Sequence, residues 1–205
     1  MKTVKKSRSE IKREAIIAAA KKAFKEFGVQ GTSMDKLAEL AQVSKRTVYN
    51  HFETKETLLM YLVAELWQKA ETQVDVTYQK NIALKPQLIT LLNAEIAFIA
   101  SEDHMDVTKV AIGHFFYNPE ALQKEFEKIS CQENAIIRWL NCAIKDNKLA
   151  IKDVDFASDQ LHGLIKASCF WPQLFQMEDG ISKEKRQFLA KETAEMFLAR
   201  YQILS

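Results

Sequence analysis

Residues 32 to 55 read TSMDKLAELAQVSKRTVYNHFETK. Met34, Leu37, Ala38 and Ala41 fall at i, i+3, i+4 and i+7, which predicts a short helix with one apolar face. Thr32 and Ser33 stand where an N-cap is needed, and Asp35 adds a carboxylate at the positive end of the helix dipole. Gln42 and Val43 form the turn. Ser44 then caps a second helix of barely two turns, Lys45 to Phe52. At 100° per residue, Val48 and Phe52 share one face while Arg46 and Asn50 point away, flanked by Thr47 and Tyr49. A helix that buries two apolar groups and presents Lys, Arg, Thr, Tyr and Asn fits a DNA-recognition helix. Arg pairs with guanine edges, Asn with adenine edges, and hydroxyls and Lys with phosphates. Taken singly, each residue is better explained by a solvated polar face. Cap, turn and face together favour recognition.

Charge follows the same division. Of 29 Lys and Arg and 27 Asp and Glu, residues 1 to 55 hold 13 and 6, a balance of +7, and the rest hold 16 and 21, a balance of −5. Positive charge is concentrated where a polyanion would dock. Lys2, Lys5, Lys6 and Arg8 form either an arm reaching phosphates or a solubilising tail. Upstream, Ser7 and Glu10 suit a capping box. Ile17, Ala20, Phe24 and Phe27 make a stripe for a first helix that Gly28 ends.

These residues resemble the N-terminal DNA-binding domain of the TetR/AcrR family of bacterial transcriptional regulators. The likeness runs from about residue 10 to 65. It includes Ile17, Ala19, Ala20, Phe24, Phe27 and Gly28, then Gly31-Thr32-Ser33-Met34, Leu37-Ala38, Ala41 and Val43-Ser44-Lys45. It continues through Thr47-Val48-Tyr49, His51-Phe52 and Lys55-Glu56. The resemblance implies that Tyr49, His51 and Lys55 hold phosphates and that Thr32 and Ser33 begin the helix crossing the backbone. It places Lys45, Arg46, Thr47 and Asn50 nearest the base edges. Arg46 and Asn50 depart from the small and aromatic residues frequent there, so the family's preferred DNA sequences do not carry over.

Five Gly and three Pro among 205 residues, beside abundant Ala, Leu, Lys and Glu, predict an all-α chain. About nine helices are expected: a three-helix head over 1–55 and a helical ligand-binding and dimerisation domain over 56–205. A long fourth helix, Lys55 to Thr77, joins them. Pro86 opens the next, ending near Ala100. Others span about 107–117, 119–147 and 153–170, with Trp171-Pro172 interrupting the chain, and Ser182 caps the last, to about Leu204. No apolar run approaches the roughly 18 residues of a membrane span, and no export signal is evident. A cytoplasmic protein is expected, with no membrane partner.

The last two helices carry apolar repeats. Leu161, Leu164, Ile165, Phe197, Tyr201 and Leu204 are candidates for a homodimer interface. The family resemblance implies a four-helix interface of this kind, and a two-fold dimer would present two recognition helices to a palindromic operator in double-stranded DNA. Phe98, Phe115, Phe116, Trp139, His162, Phe170 and Trp171 are candidates to line a site for a small apolar or aromatic effector. Taken singly, each aromatic is better explained as plain core. Phe115-Phe116-Tyr117-Asn118-Pro119-Glu120 and Phe170-Trp171-Pro172 also look similar to the AefR-like C-terminal domain type. The expected function is a ligand-released, homodimeric repressor. A thiol-based sensor built on Cys131, Cys142 or Cys169 is the alternative. The cysteine spacing suggests neither metal nor cofactor. An enzyme is disfavoured by the lack of GxSxG, P-loop, HExxH and GxGxxG motifs.

Overall fold

A computed structural model describes residues 6–74, 76–117 and 134–203. Ten helices lie among them: α1 Arg8–Phe27, α2 Met34–Leu40, α3 Lys45–His51, α4 Lys55–Gln73, α5 Leu84–Ile99, α6 Glu102–Phe115, α7 Ala135–Lys145, α8 Val154–Cys169, α9 Trp171–Leu174 and α10 Lys183–Tyr201. No strand is present among the described residues, whose one extended pairing is an isolated bridge, Leu149 with Gln202. The chain is all-α. The additional short helix, α9, begins at the interruption expected from Trp171-Pro172, with Pro in its first turn. Helix α6 starts at Glu102, five residues ahead of the expected Val107, because the Ser101 hydroxyl accepts from the His104 N–H at 3.3 Å. The part of the predicted 119–147 helix before residue 134 lies outside the described residues.

The described residues form two compact units, one drawn from Met1–Trp67 and Asp106–Ser130, the other from Gln68–Met105 and Cys131–Ser205. The first unit therefore runs further than the expected division at residue 55. The physical reason is the first half of α4. Leu58, Leu59, Leu62 and Leu66 are buried, the Arg13 guanidinium lies over the Tyr61 ring at 4.2 Å, and Lys21 pairs with Glu65 at 3.0 Å. These contacts tie α4 to α1.

Within the first unit, α1 opens on a reciprocal capping box. Ser7 Oγ accepts from the Glu10 N–H, and Glu10 Oε2 accepts from the Ser7 N–H at 2.6 Å. Gly28, at φ 68°, closes it. Ile16, Ile17, Ala20 and Phe24 are buried, whereas Phe27, expected in the same stripe, is 40% exposed. Its ring instead carries Lys36 Nζ at 3.0 Å. Gly31 is required by packing, since a Cβ there would stand 2.3 Å from the Phe27 carbonyl oxygen.

In the second unit α10 packs on α5 and α8, and α8 packs on α5 and α7. Leu88, Leu91, Leu92 and Ile96 of α5 meet this core with Leu161 and Ile165 of α8 and Ala190, Ala194, Phe197 and Leu198 of α10, all buried. Fully burying each large side chain contributes about 1.5–3 kcal/mol. Alanines one turn apart on α10 permit close approach to α5. The Gln87 amide, also buried, accepts from the Gln79 N–H at 2.7 Å and donates to the Gln79 and Ile82 carbonyls. It thereby satisfies the loop leading into α5.

Three of the six dimer candidates lie inside the protomer. Leu161, Ile165 and Phe197 are 0%, 0% and 3% exposed within one protomer, so the protomer's own core consumes them. Leu164 is half-buried, and half-buried Tyr201 donates its hydroxyl to Gln160 Oε1 at 2.6 Å. Leu204 lies outside the described residues. The large apolar side chains left exposed on α8 and α10 are Phe156, Phe188 and Met196.

Candidate nucleic-acid interface

Helices α2 and α3 are held by local chemistry. Ser33, in extended conformation, caps α2 by accepting from the Lys36 N–H at 3.2 Å. Ser44 caps α3 by accepting from the Thr47 N–H, and its hydroxyl also meets Thr47 Oγ1 at 2.8 Å. Between them the Val43 N–H reaches the Ala38 carbonyl at 3.0 Å and the Gln42 N–H the Glu39 carbonyl at 3.1 Å. That is the Schellman pattern, with Gln42 in the left-handed region at φ 54° where Gly is usual. Leu37 and Val48 are fully buried and Phe52 nearly so. The Phe52 ring lies 5.7 Å from that of Tyr61, with Arg13 above both.

The burial of Val48 and Phe52 decides which way α3 faces. Lys45, Arg46, Tyr49 and Asn50 are exposed, and Thr47, His51 and Lys55 are half-buried. Ser33 is exposed at the N-terminus of α2. Eight of the nine DNA-binding candidates thus lie at least partly open to solvent on α2, α3 and the start of α4. Thr32 is the exception. It is 1% exposed, and its hydroxyl donates to the Gly28 carbonyl at 2.7 Å and the Ala23 carbonyl at 3.3 Å. Its role is to bind the α1–α2 connection. Lys55 Nζ donates to the Gln30 carbonyl at 3.3 Å, which holds it over that same loop.

One partnership was not visible in the sequence. Lys45 Nζ lies 2.6 Å from Asp35 Oδ2, joining α3 to the first turn of α2. This hydrogen-bonded carboxylate raises the Lys45 pKa. Lys6 pairs with Glu14, while Lys2 and Lys5 of the basic tail lie outside the described residues.

A bacterial regulatory protein model of the tetR family matches residues 16–62, and an AefR-like transcriptional repressor C-terminal domain matches residues 86–203. The chain belongs to the TetR family. Over its length it is similar to a TetR-family transcriptional regulator from Pseudomonas syringae pv. tomato str. DC3000, at 34% identity and TM-score 0.81, with 94% of this chain and 97% of that one covered. It is 29% identical to the HTH-type transcriptional regulator YhgD of Bacillus subtilis (strain 168) over 66% of this chain and 68% of YhgD. To the HTH-type transcriptional regulator RutR of Escherichia coli (strain K12) it is 38% identical over 65 residues, 31% of each chain. This TetR-family chain is a transcriptional regulator on a DNA-binding repressor scaffold, not an enzyme. No helix among the described residues is long and apolar enough to cross a membrane.

The effector candidates divide between the two units. In the second, the His104 ring is flanked edge-on by Phe98 at 5.1 Å and Phe170 at 6.1 Å, and Trp171 lies 4.9 Å from Phe170. His162 Nε2 stands 3.3 Å from Glu95 Oε1, and its Nδ1 meets the Ser158 carbonyl at 3.0 Å. Burial, with help from Lys166, pulls the His104 pKa down to about 4. Trp139 is buried with its ring edge-on to Tyr78 at 5.8 Å, and its indole N–H meets no acceptor among the described residues. Phe115 and Phe116 belong to the first unit. Phe115 is buried beside His114, but Phe116 is 77% exposed. Five of the seven, Phe98, Trp139, His162, Phe170 and Trp171, belong to the second unit.

Cys142 is exposed and Cys169 buried, while Cys131 lies outside the described residues. Burial pushes the Cys169 thiol up to about 12 and outweighs the opposing effect of Lys166. Such a thiol carries almost no thiolate at neutral pH.

Proposed function

We propose that this protein is a homodimeric repressor that reads a palindromic operator with α3 and is released by a small aromatic or apolar effector. The observation that carries the DNA half is the orientation of α3: Val48 and Phe52 buried, Arg46, Tyr49 and Asn50 exposed. Arg46 and Asn50 are the base readers in this reading, with bidentate chemistry suited to guanine and adenine. Ser33, Thr47, Tyr49, His51 and Lys55 supply phosphate contacts. Acting on chromosomal DNA, the protein works in the cytoplasm.

Dimerisation is assigned to the outward faces of α8 and α10. Phe188 and Met196 are 65% and 60% exposed on one side of α10, and Phe156 is 57% exposed on α8. Gly163 and Ala167 follow Phe156 by about two and three turns along α8, and small residues there suit close helix packing across a two-fold axis. The effector site is assigned to the second unit, where aromatic walls from Phe98, Phe170 and Trp171 adjoin the polar His104, His162 and Glu95. Apolar surface with a few convergent polar groups is the usual makeup of a ligand site. Helix α4 begins in the first unit and ends in the second. It is the covalent route by which occupancy would alter the heads, and coupling of DNA and effector must then be reciprocal. The thiol alternative loses Cys169, whose thiol stays protonated.

The test is to sequence the genomic fragments that the purified protein selects at physiological salt, in parallel with Arg46→Ala. The reading expects one enriched palindrome with the wild-type chain. It expects relaxed choice at one base pair per half-site with the variant, costing about 1–3 kcal/mol there. Equal losses on selected and random DNA would sink the assignment of Arg46 to base reading.

A further inference from the structure

The candidate reading face carries an anion where a DNA-binding surface gains least from one. Asp35 stands in the first turn of α2 and Lys45 is the first residue of α3. Their side chains are 61% and 60% exposed, yet Nζ and Oδ2 meet at 2.6 Å across the helix-turn-helix. Ser33, the cap of α2, and Ser44, the cap of α3, hold the two helix starts in place around the pair. We propose that Asp35 is a positioning residue that engages Lys45 in an ion pair within the head and so attenuates the head's sequence-independent grip on DNA phosphates. The proposal rests on the reading that α3 faces DNA.

The argument is one of counterion exchange. A Lys that neutralises a phosphate releases a condensed cation, and each such contact steepens the dependence of log K on log salt by about 0.9. A Lys already paired releases that cation but also frees a carboxylate, which gathers a cation of its own. The net exchange approaches zero, and the phosphate contact becomes a substitution of one anion for another. Exposed pairs are weak, so phosphate competes successfully at close range and the effect is attenuation rather than loss. Attenuation has a consequence for discrimination. Non-specific binding is almost wholly phosphate-driven, whereas operator choice rests on Arg46 and Asn50. Weakening the common phosphate term leaves more of the total affinity to the base readers.

The experiment uses the full chain and a fluorescently labelled random-sequence duplex, with anisotropy titrations across a potassium chloride series. Asp35→Asn should bind this duplex several-fold more tightly at low salt, with a salt slope steeper by up to about 0.9 for each engaged protomer. Lys45→Gln alone should change the slope by much less than that. Asp35→Asn placed in the Lys45→Gln background should add no steepening. Asp35→Ser serves as a second variant, since Ser suits a first helical turn, and thermal melts monitored by circular dichroism check that each chain folds. Full flattening by Lys45→Gln, an unchanged slope in Asp35→Asn, or equal steepening in both backgrounds would overturn the proposal. The last result would mean general repulsion of phosphate by Asp35. Arg46→Gln, compared on the selected operator and on the random duplex, reports on the underlying reading. No loss on either would mean that α3 is not on the DNA, and the proposal would fall with that reading rather than by itself.

Discussion

Thr32→Val separates a structural residue from a DNA contact. Val keeps the shape of Thr but lacks its donor. Thr32 is 1% exposed, and its hydroxyl donates at 2.7 Å to the Gly28 carbonyl and at 3.3 Å to the Ala23 carbonyl. The net value of a hydrogen bond is about 0.5–1.5 kcal/mol, and a buried acceptor left dry costs about 1–3 kcal/mol. The 3.3 Å bond is the weaker, and Val adds a methyl group to the core. A loss of about 1–2 kcal/mol follows, or a Tm lower by about 2–8 °C at 2–4 °C per kcal/mol for a chain of this size. Circular dichroism melts measure it. DNA affinity and salt slope, taken well below Tm, should match those of the wild-type chain because no DNA-facing group has changed. An unaltered Tm with weakened DNA binding would refute the reasoning and return Thr32 to the phosphate backbone.

Three further perturbations test other parts of the structure. Gln42→Gly should stabilise the head by about 0.5–1 kcal/mol: an L-residue in the left-handed region costs about 1–2 kcal/mol, and Gly gives back about 0.5–1 in backbone entropy. Urea titration would show this as a higher midpoint at constant slope. His104 is neutral in the folded chain, with its pKa pulled from 6.5 to about 4 chiefly by burial. The unfolded chain therefore binds a proton that the folded one refuses between those pH values, and stability falls as pH drops through that window, by at most about 3 kcal/mol. His104→Gln should remove this part of the pH dependence in melts run from pH 7 to pH 4, and an identical profile would contradict the assignment. Phe188→Lys with Met196→Lys, both exposed in the protomer, should weaken the proposed dimer at least tenfold in analytical ultracentrifugation. The protomer's helicity should be unchanged.

What could be read from the sequence is what sequence-local physics controls. The caps at Ser7, Ser33, Ser44 and Ser182, and the inward face of α3, follow from spacing alone. Helix ends were harder where the chain uses no glycine. Gln42, Asn147 and Gln176 all take positive φ at the close of a helix, and all three sit in the same pattern of backbone bonds. Three of the six dimer candidates proved to be core for a different reason. A 3.6-residue stripe says that a face is covered, not which helix covers it. Leu161, Ile165 and Phe197 are covered by the protomer itself, because α10 packs on α5 and α8. The pairings Glu95–His162 and Asp35–Lys45 each join two helices, and no local rule reveals such a partner.

The same distinction bears on charge. A balance of +7 over residues 1–55 suggests a head that grips phosphate with many lysines. The structure engages a good part of that charge internally: Lys6 with Glu14, Lys21 with Glu65, Lys25 with Asp106 and Lys45 with Asp35. Arg13 is committed to the Phe52 and Tyr61 rings and Lys36 to Phe27. Surface pairs are individually weak, so these groups are not lost to DNA. Each must exchange a partner to reach it, however, and that exchange lowers the net counterion release. The salt slope of the wild-type head should accordingly be shallower than its formal charge implies. In the proposed reading, affinity then leans more on Arg46 and Asn50, exposed side chains on the one helix whose inward face is fixed by Val48 and Phe52. A head built this way trades strength on arbitrary DNA for dependence on the sequence beneath α3, as a regulator searching a genome of competing sites requires.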